Sequence, residues 1–185
     1  MFKLNKIQVL KVSLLVVVAA SLSGCLVVFT NSPAGKPKED KALLGRWASE
    51  EKDKEKMTVQ FEKGLRGEVK VSFLPAVPGD KNPVFTAKLF AIGAHSYMAL
   101  NPTDEEDHDK GFVIARYAIR DGELSVWLLN STKVTDLIKQ KKISGEGQQT
   151  GATVTESADS VSRFLQSRGA DEAFEDFGKF RRAGS

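Results

Sequence analysis

The stretch GFVIARYAIRDGELSVWLL, residues 111–129, decides the fold. Its first half alternates, with Val113, Ala115, Tyr117 and Ile119 on one side and Arg116 and Arg120 on the other. Successive side chains of an extended chain point in opposite directions, so period two marks a strand with one buried face. Asp121-Gly122 links it to a second apolar run, Glu123 to Leu129. A two-residue Asp-Gly link adopts the turn whose twist matches that of the flanking strands. The stretch reads as an antiparallel hairpin.

The same period recurs upstream. In KMTVQFE, Met57, Val59 and Phe61 share a face; in GEVKVSF, Val69, Val71 and Phe73 do. A loop with Pro75, Pro78, Gly79 and Pro83 follows. PVFTAKLFAI then places Phe85, Ala87 and Leu89 together, Gly93 interrupts, and HSYMAL begins another short strand. The mixed-charge run SEEKDKEKM reads as a solvated hairpin loop.

Two segments carry helical spacing instead. STKVTDLIKQKK offers Ser131 or Thr132 as N-cap and gathers Val134, Leu137 and Ile138 on one side. ESADSVSRFLQSRG offers Ser157 or Asp159 as cap, a stripe of Val161, Phe164 and Leu165, and Gly169 as terminator. Between them GATVTES reads as a strand, and the tail is expected to add a short last strand at Lys179 to Arg182. Short links between about seven strands imply sequential antiparallel pairing rather than βαβ units. Such a meander curls into an up-and-down barrel or half-barrel, since closure removes exposed edges. The expected class is mainly β, with two short helices.

The start of the chain has another character. Residues 1–11 hold Lys3, Lys6 and Lys11 and no acid, and an apolar run extends from Val12 to Leu22. That run is shorter than the roughly 20 apolar residues of a membrane span, so it reads as a secretory signal. It ends Leu22-Ser23-Gly24-Cys25, and Cys25 is the only cysteine. These four residues resemble a bacterial lipobox. The resemblance implies cleavage before Cys25, a diacylglycerol on its thiol and an acyl chain, of the palmitate kind, on the new amine. One acyl chain anchors marginally, whereas two anchor stably. Leu26 follows, where lipoproteins kept at the inner membrane carry Asp; the resemblance therefore implies the periplasmic face of the outer membrane. In a Gram-positive source it implies the outer face of the plasma membrane.

The leader also explains the charge. The chain of 185 residues has 27 basic and 24 acidic residues, and the three leader lysines account for the whole excess. No basic surplus remains for nucleic-acid binding. Residues 25–41 hold Pro33, Gly35, Pro37 and mixed charge, and read as a lipidated N-terminus with a flexible tether, Leu26 to Phe29 lying near the headgroups. Residues 42–185 form the expected single domain, and without disulfides its stability comes from packing.

Leu44-Gly45-Arg46-Trp47 stands where the first strand begins, and Arg181-Arg182 near the chain end. A G-x-W opening a β-meander is similar to lipocalins and their bacterial lipoprotein relatives. That likeness implies that Gly45 turns the chain onto the barrel base, that Trp47 plugs it, and that Arg181 or Arg182 covers the indole. It extends over nearly the whole mature chain and implies no particular activity. The T-D-Y-type second motif of lipocalins is missing, and the helix near 132–141 takes the place of a barrel strand.

Chemistry is sparse. His95 reads as a surface or hairpin histidine, and His108 sits in the acidic loop NPTDEEDHDK, which lacks calcium-loop spacing. No G-x-S-x-G elbow is present, and lipidation removes Cys25 as a nucleophile. Gly145 to Gly151 reads as a flexible connector rather than a dinucleotide loop. Glu172, Glu175 and Asp176 fall on a polar stretch without a visible cleft. No cofactor and no metal site is expected. The expectation is a non-enzymatic envelope lipoprotein that binds a small apolar molecule or lipid through Phe85, Leu89, Tyr117 and Val126. The alternative is an interaction module contacting an envelope protein.

Overall fold

The computed structural model describes residues 26–50, 57–74, 83–103, 111–148 and 151–183. The leader, Cys25, His108 with its acidic neighbours, and Pro75, Pro78 and Gly79 lie outside the described residues. Within them the strands are β1 (Val27–Phe29), β2 (Gly45–Ser49), β3 (Thr58–Lys63), β4 (Val69–Leu74), β5 (Val84–Ile92) and β6 (His95–Pro102). They continue as β7 (Phe112–Arg120), β8 (Glu123–Leu129), β9 (Gly145–Gln148), β10 (Gly151–Val154) and β11 (Phe174–Arg182). Three short helices, α1 (Ser131–Lys139), α2 (Ala158–Leu165) and α3 (Arg168–Ala173), lie between β8 and β11.

Eight strands close a barrel. From β2 to β8 each pairs antiparallel with the next, and β11 pairs with both β8 and β2. The hairpin at residues 111–129 forms with Arg120 opposite Glu123 and Asp121-Gly122 as its turn. Asp121 and Gly122 both have positive φ, as that turn requires. The last strand is longer than Lys179 to Arg182. It begins at Phe174, carries a bulge between Asp176 and Gly178, and pairs with β8 along one edge and with β2 at Phe180–Arg182 along the other.

The barrel wall is apolar on both faces over part of its circumference. Inward side chains from every barrel strand, among them Trp47, Phe61, Val71, Leu89, Met98, Ala115, Leu124 and Phe180, form one core. Phe90, Ile92, Tyr97, Ala99 and Ile114 point the other way and form a second core with β1, β10 and the helices. Alternation marks only one buried face for β5 and β7; the structure buries part of the other face as well. The hydroxyl of the fully buried Tyr97 donates to the Leu165 carbonyl at 3.0 Å, tying the wall to the end of α2.

Residues 26–41 depart from the expected tether. Val27 and Phe29 are buried, Phe29 with 0% exposure. Strand β1 pairs antiparallel with β7 at Val28–Val113 and Phe29–Phe112, and parallel with β10 from Val27–Ala152 to Phe29–Val154. The cause is tertiary. β8 pairs with β7 only from Ala115 onward, so the start of β7 has a bare edge, and β1 fills it. The chain beyond β1 is also fastened, by Ala34 N–H to the Ala158 carbonyl at 3.1 Å and Lys38 N–H to the Leu89 carbonyl at 2.8 Å. The domain therefore begins with β1 rather than near Ala42.

Other expectations also need correction. The N-cap of α1 is Asn130, whose side chain accepts from the Lys133 N–H at 3.0 Å, ahead of Ser131 and Thr132. Ser157 caps α2 as expected. Gly169 does not end that helix. Gln166 does, and Gly169 lies within α3, itself capped by Ser167. Gly145 to Gln148 is not a flexible connector but strand β9, paired antiparallel with β10. Its glycines let α1 approach the sheet. A Cβ at Gly147 would run into the Thr135 side chain, and one at Gly145 into the Thr153 carbonyl. Gly147→Val is accordingly expected to destabilise the fold by about 1–3 kcal/mol, as overpacked sites do. A lowered urea midpoint at unchanged slope is the measurement.

Candidate functional site

The base of the barrel is the most fully specified site. Gly45 has φ +119°, where side-chain-bearing residues are strained, and a Cβ there would lie 2.5 Å from an Arg182 guanidinium nitrogen. Trp47 is buried beneath, and its Nε1–H donates to the Leu43 carbonyl at 2.8 Å. Of the two terminal arginines, Arg182 lies over the indole, 4.7 Å from the ring centroid. Its guanidinium also donates to the Leu44 and Ala42 carbonyls at 2.6 and 2.7 Å. Arg181, on the alternate side of β11, pairs with Glu50. Three interactions thus hold one guanidinium across the barrel floor.

A polar cluster that sequence reasoning did not single out fastens the chain leading to that floor. The Tyr117 hydroxyl donates to Asp40 at 2.9 Å, and Lys38 Nζ donates to the Ser96 hydroxyl at 2.7 Å. Lys38 also lies 5.5 Å from the Tyr117 ring centroid. Burial and the Asp40 carboxylate push the Tyr117 pKa up, because both disfavour a phenolate. Only an unusual pairing of Lys-x-Asp with a distant inward Tyr carried this in the sequence, and that needs the fold to be seen. Burial likewise pushes Tyr97 up to about 12.

These two tyrosines set an alkaline limit. Folded protein holds their protons more tightly than the unfolded chain, whose tyrosines titrate near 10.0. Unfolding therefore releases protons above that pH, and stability falls from about pH 10 upward, through about 12 for Tyr97. The urea midpoint is expected to drop over this range in wild type. Tyr117→Phe with Tyr97→Phe should flatten the slope while lowering stability at neutral pH.

The four residues expected to bind a ligand do converge. Phe85, Leu89, Tyr117 and Val126 all belong to the inward core. They do not line an open chamber along their whole length. Leu89 is 0% and Tyr117 2% exposed, in one buried cluster with Ala87, Val71, Ala115 and Leu124. A water-sized void beside them would leave them accessible, so side chains fill the barrel at their level, as eight strands permit. The other end differs. Met57, Phe73, Phe85, Leu100 and Leu128 are inward but only half-buried. Phe73 and Phe85 meet edge-to-face with centroids 5.8 Å apart. The only buried polar residue among the described ones, Asn101, donates to the Gly111 carbonyl and shares the outward face of β6 with Tyr97 and Ala99. Among the described residues the mouth end is therefore lined by half-buried apolar side chains.

Beside it, the bulge in β11 leaves Phe177 37% exposed, stacked on the buried Phe180. Glu50, Asp176, Gly178 and Lys179 complete a depression of about 310 Å³ there. The remaining candidates for chemistry are surface groups in ion pairs. Glu172 pairs with Arg168, and Lys133 Nζ lies 2.9 Å from Glu175. Hydrogen bonds from Lys133 and then Asn130 hold the Glu175 carboxyl below its ordinary range. His95 lies 3.6 Å from Asp171, which also pairs with Arg116 at 3.1 Å. That guanidinium is held between the Trp127 and Phe174 rings, at 5.1 and 4.8 Å. Among the described residues no group of three His, Cys, Asp or Glu is placed to hold a metal ion. Neither a family model, nor a curated protein, nor a solved structure matches this chain.

Proposed function

We propose that this protein is a lipid-anchored component of the bacterial envelope, held by acylated Cys25 at the periplasmic face of the outer membrane, and that its barrel mouth binds one apolar chain without catalysis. The observation that carries the binding reading is the half-buried ring of Met57, Phe73, Phe85, Leu100 and Leu128 above a packed apolar floor. Such a ring favours a linear hydrocarbon end over a bulky ligand, because the buried Leu89 and Tyr117 close the barrel beneath it. The five described side chains of this ring carry no charged group to polarise a bond.

Titration with a fluorescent fatty acid tests the reading. Saturable binding by wild type is expected. Phe85→Asp should weaken it at least about tenfold, or 1.4 kcal/mol, because it sets a charge against the apolar chain. An unfolding midpoint for the variant near that of wild type separates lost binding from lost fold. Absence of saturable binding in wild type would overturn the reading. The docking alternative is favoured by the edge of β9, which among the described residues pairs only with β10. Crosslinking from Glu146 to an envelope protein in cells, without lipid binding, would select it.

A further inference from the structure

The end of the described chain lies beside a particular face of the domain. Leu26 is not on a free arm. Its carbonyl accepts from the Ala152 N–H at 3.2 Å, and a Cβ on Gly151 would lie 3.0 Å from the same oxygen. Val27, the next residue, is 3% exposed and paired to Ala152. Cys25 is one peptide bond further, and a single extended residue reaches only about 3.5 Å. Strand β10 begins at this point, and Gln148 at the end of β9 lies directly opposite Gly151.

From this we infer that the domain is seated directly on the bilayer, with the β9–β10 end at Gln148 and Gly151 as its lipid-facing contact. The inference rests on the anchoring of Cys25 proposed above. Two or more acyl chains at that position hold the anchor stably in the membrane. No slack separates the anchor from β1, so the domain cannot swing away as a tethered one does. The partner surface is a phospholipid bilayer. The turn between β3 and β4 lies on the opposite side of the barrel from β1, because β3 stands four strands from β7 around the eight-stranded ring and β1 is fixed to β7. A fixed orientation also presents the barrel at a constant height and angle above the lipid.

Depth-dependent quenching tests this. Acylation consumes Cys25, so a single introduced cysteine is the only labelling site. Gln148→Cys and Leu65→Cys each place a fluorophore at an exposed position, the second in the turn between β3 and β4. Full-length lipoprotein is reconstituted in phosphatidylethanolamine–phosphatidylglycerol vesicles carrying spin-labelled headgroups. Quenching is expected to be several-fold stronger at 148 than at 65. A Gly/Ser linker of about 12 residues between Cys25 and Leu26, with an average reach of about 20 Å, should erase the difference. Intact mass reads the anchor separately. Equal quenching at both sites on a chain whose mass shows acylated Cys25 would overturn the seating while leaving the anchor standing. An unmodified Cys25 would overturn both.

Discussion

Trp47→Ala is expected to destabilise the protein by about 3–5 kcal/mol, the range for removing a buried aromatic from a packed core. The effect has three sources. The indole is 1% exposed, so its truncation leaves a cavity at the barrel floor. The Leu43 carbonyl loses its donor. Arg182 loses the ring beneath its guanidinium. Trp47→Phe keeps most of the apolar volume and should lose only about 1–2 kcal/mol, mainly for the hydrogen bond. Arg182→Ala removes two carbonyl contacts and the cation–π contact, and should fall in between. Urea unfolding of the three variants gives the order. A Trp47→Ala value within about 0.5 kcal/mol of wild type, as at an ordinary surface position, would refute the plugged floor.

Phe29→Ala is expected to be about as severe, roughly 3–5 kcal/mol. Four residues after the lipobox cysteine, Phe29 lies in a stretch whose composition is that of a linker. In the fold it is fully buried and packs against Phe164 of α2 with ring centroids 6.3 Å apart. Its strand also completes the edge of β7 and carries β10. The loss should therefore spread to the second core rather than stay local. Lys36→Ala, at an exposed position seven residues on, is the control and should change stability by less than about 0.5 kcal/mol. Chemical denaturation of the mature domain distinguishes the cases. Equal, near-zero effects of both substitutions would restore the tether.

The contrast between these residues shows what a sequence carries. Trp47 was legible because Gly45 and Trp47 stand two apart at the start of a strand whose period is clear. Phe29 was not, since a three-residue strand is too short to display a period, and Pro33, Gly35 and Pro37 dominate its window. Phe85, Leu89, Tyr117 and Val126 were legible as inward residues, for alternation alone sets the face. How deep each sits was not, because depth depends on the strand at the far side of the barrel. The glycines of β9 misled for a related reason. A glycine that permits close helix packing and one that permits flexibility look the same until the helix is in place.

By itself the sequence determined the antiparallel meander, the Asp121-Gly122 turn, the inward row of the barrel and the helix stripe at Val161, Phe164 and Leu165. All of these are short-range, set by the geometry of the strand and helix repeat. The tertiary structure alone decided that the barrel closes through β11, that Arg182 rather than Arg181 covers Trp47, and that β1 is part of the domain. It also decided that a second core lies outside the barrel wall. Each depends on which bare edge or apolar face remains uncovered once the barrel has formed, and burial of that remainder is a property of the whole chain rather than of any window of it.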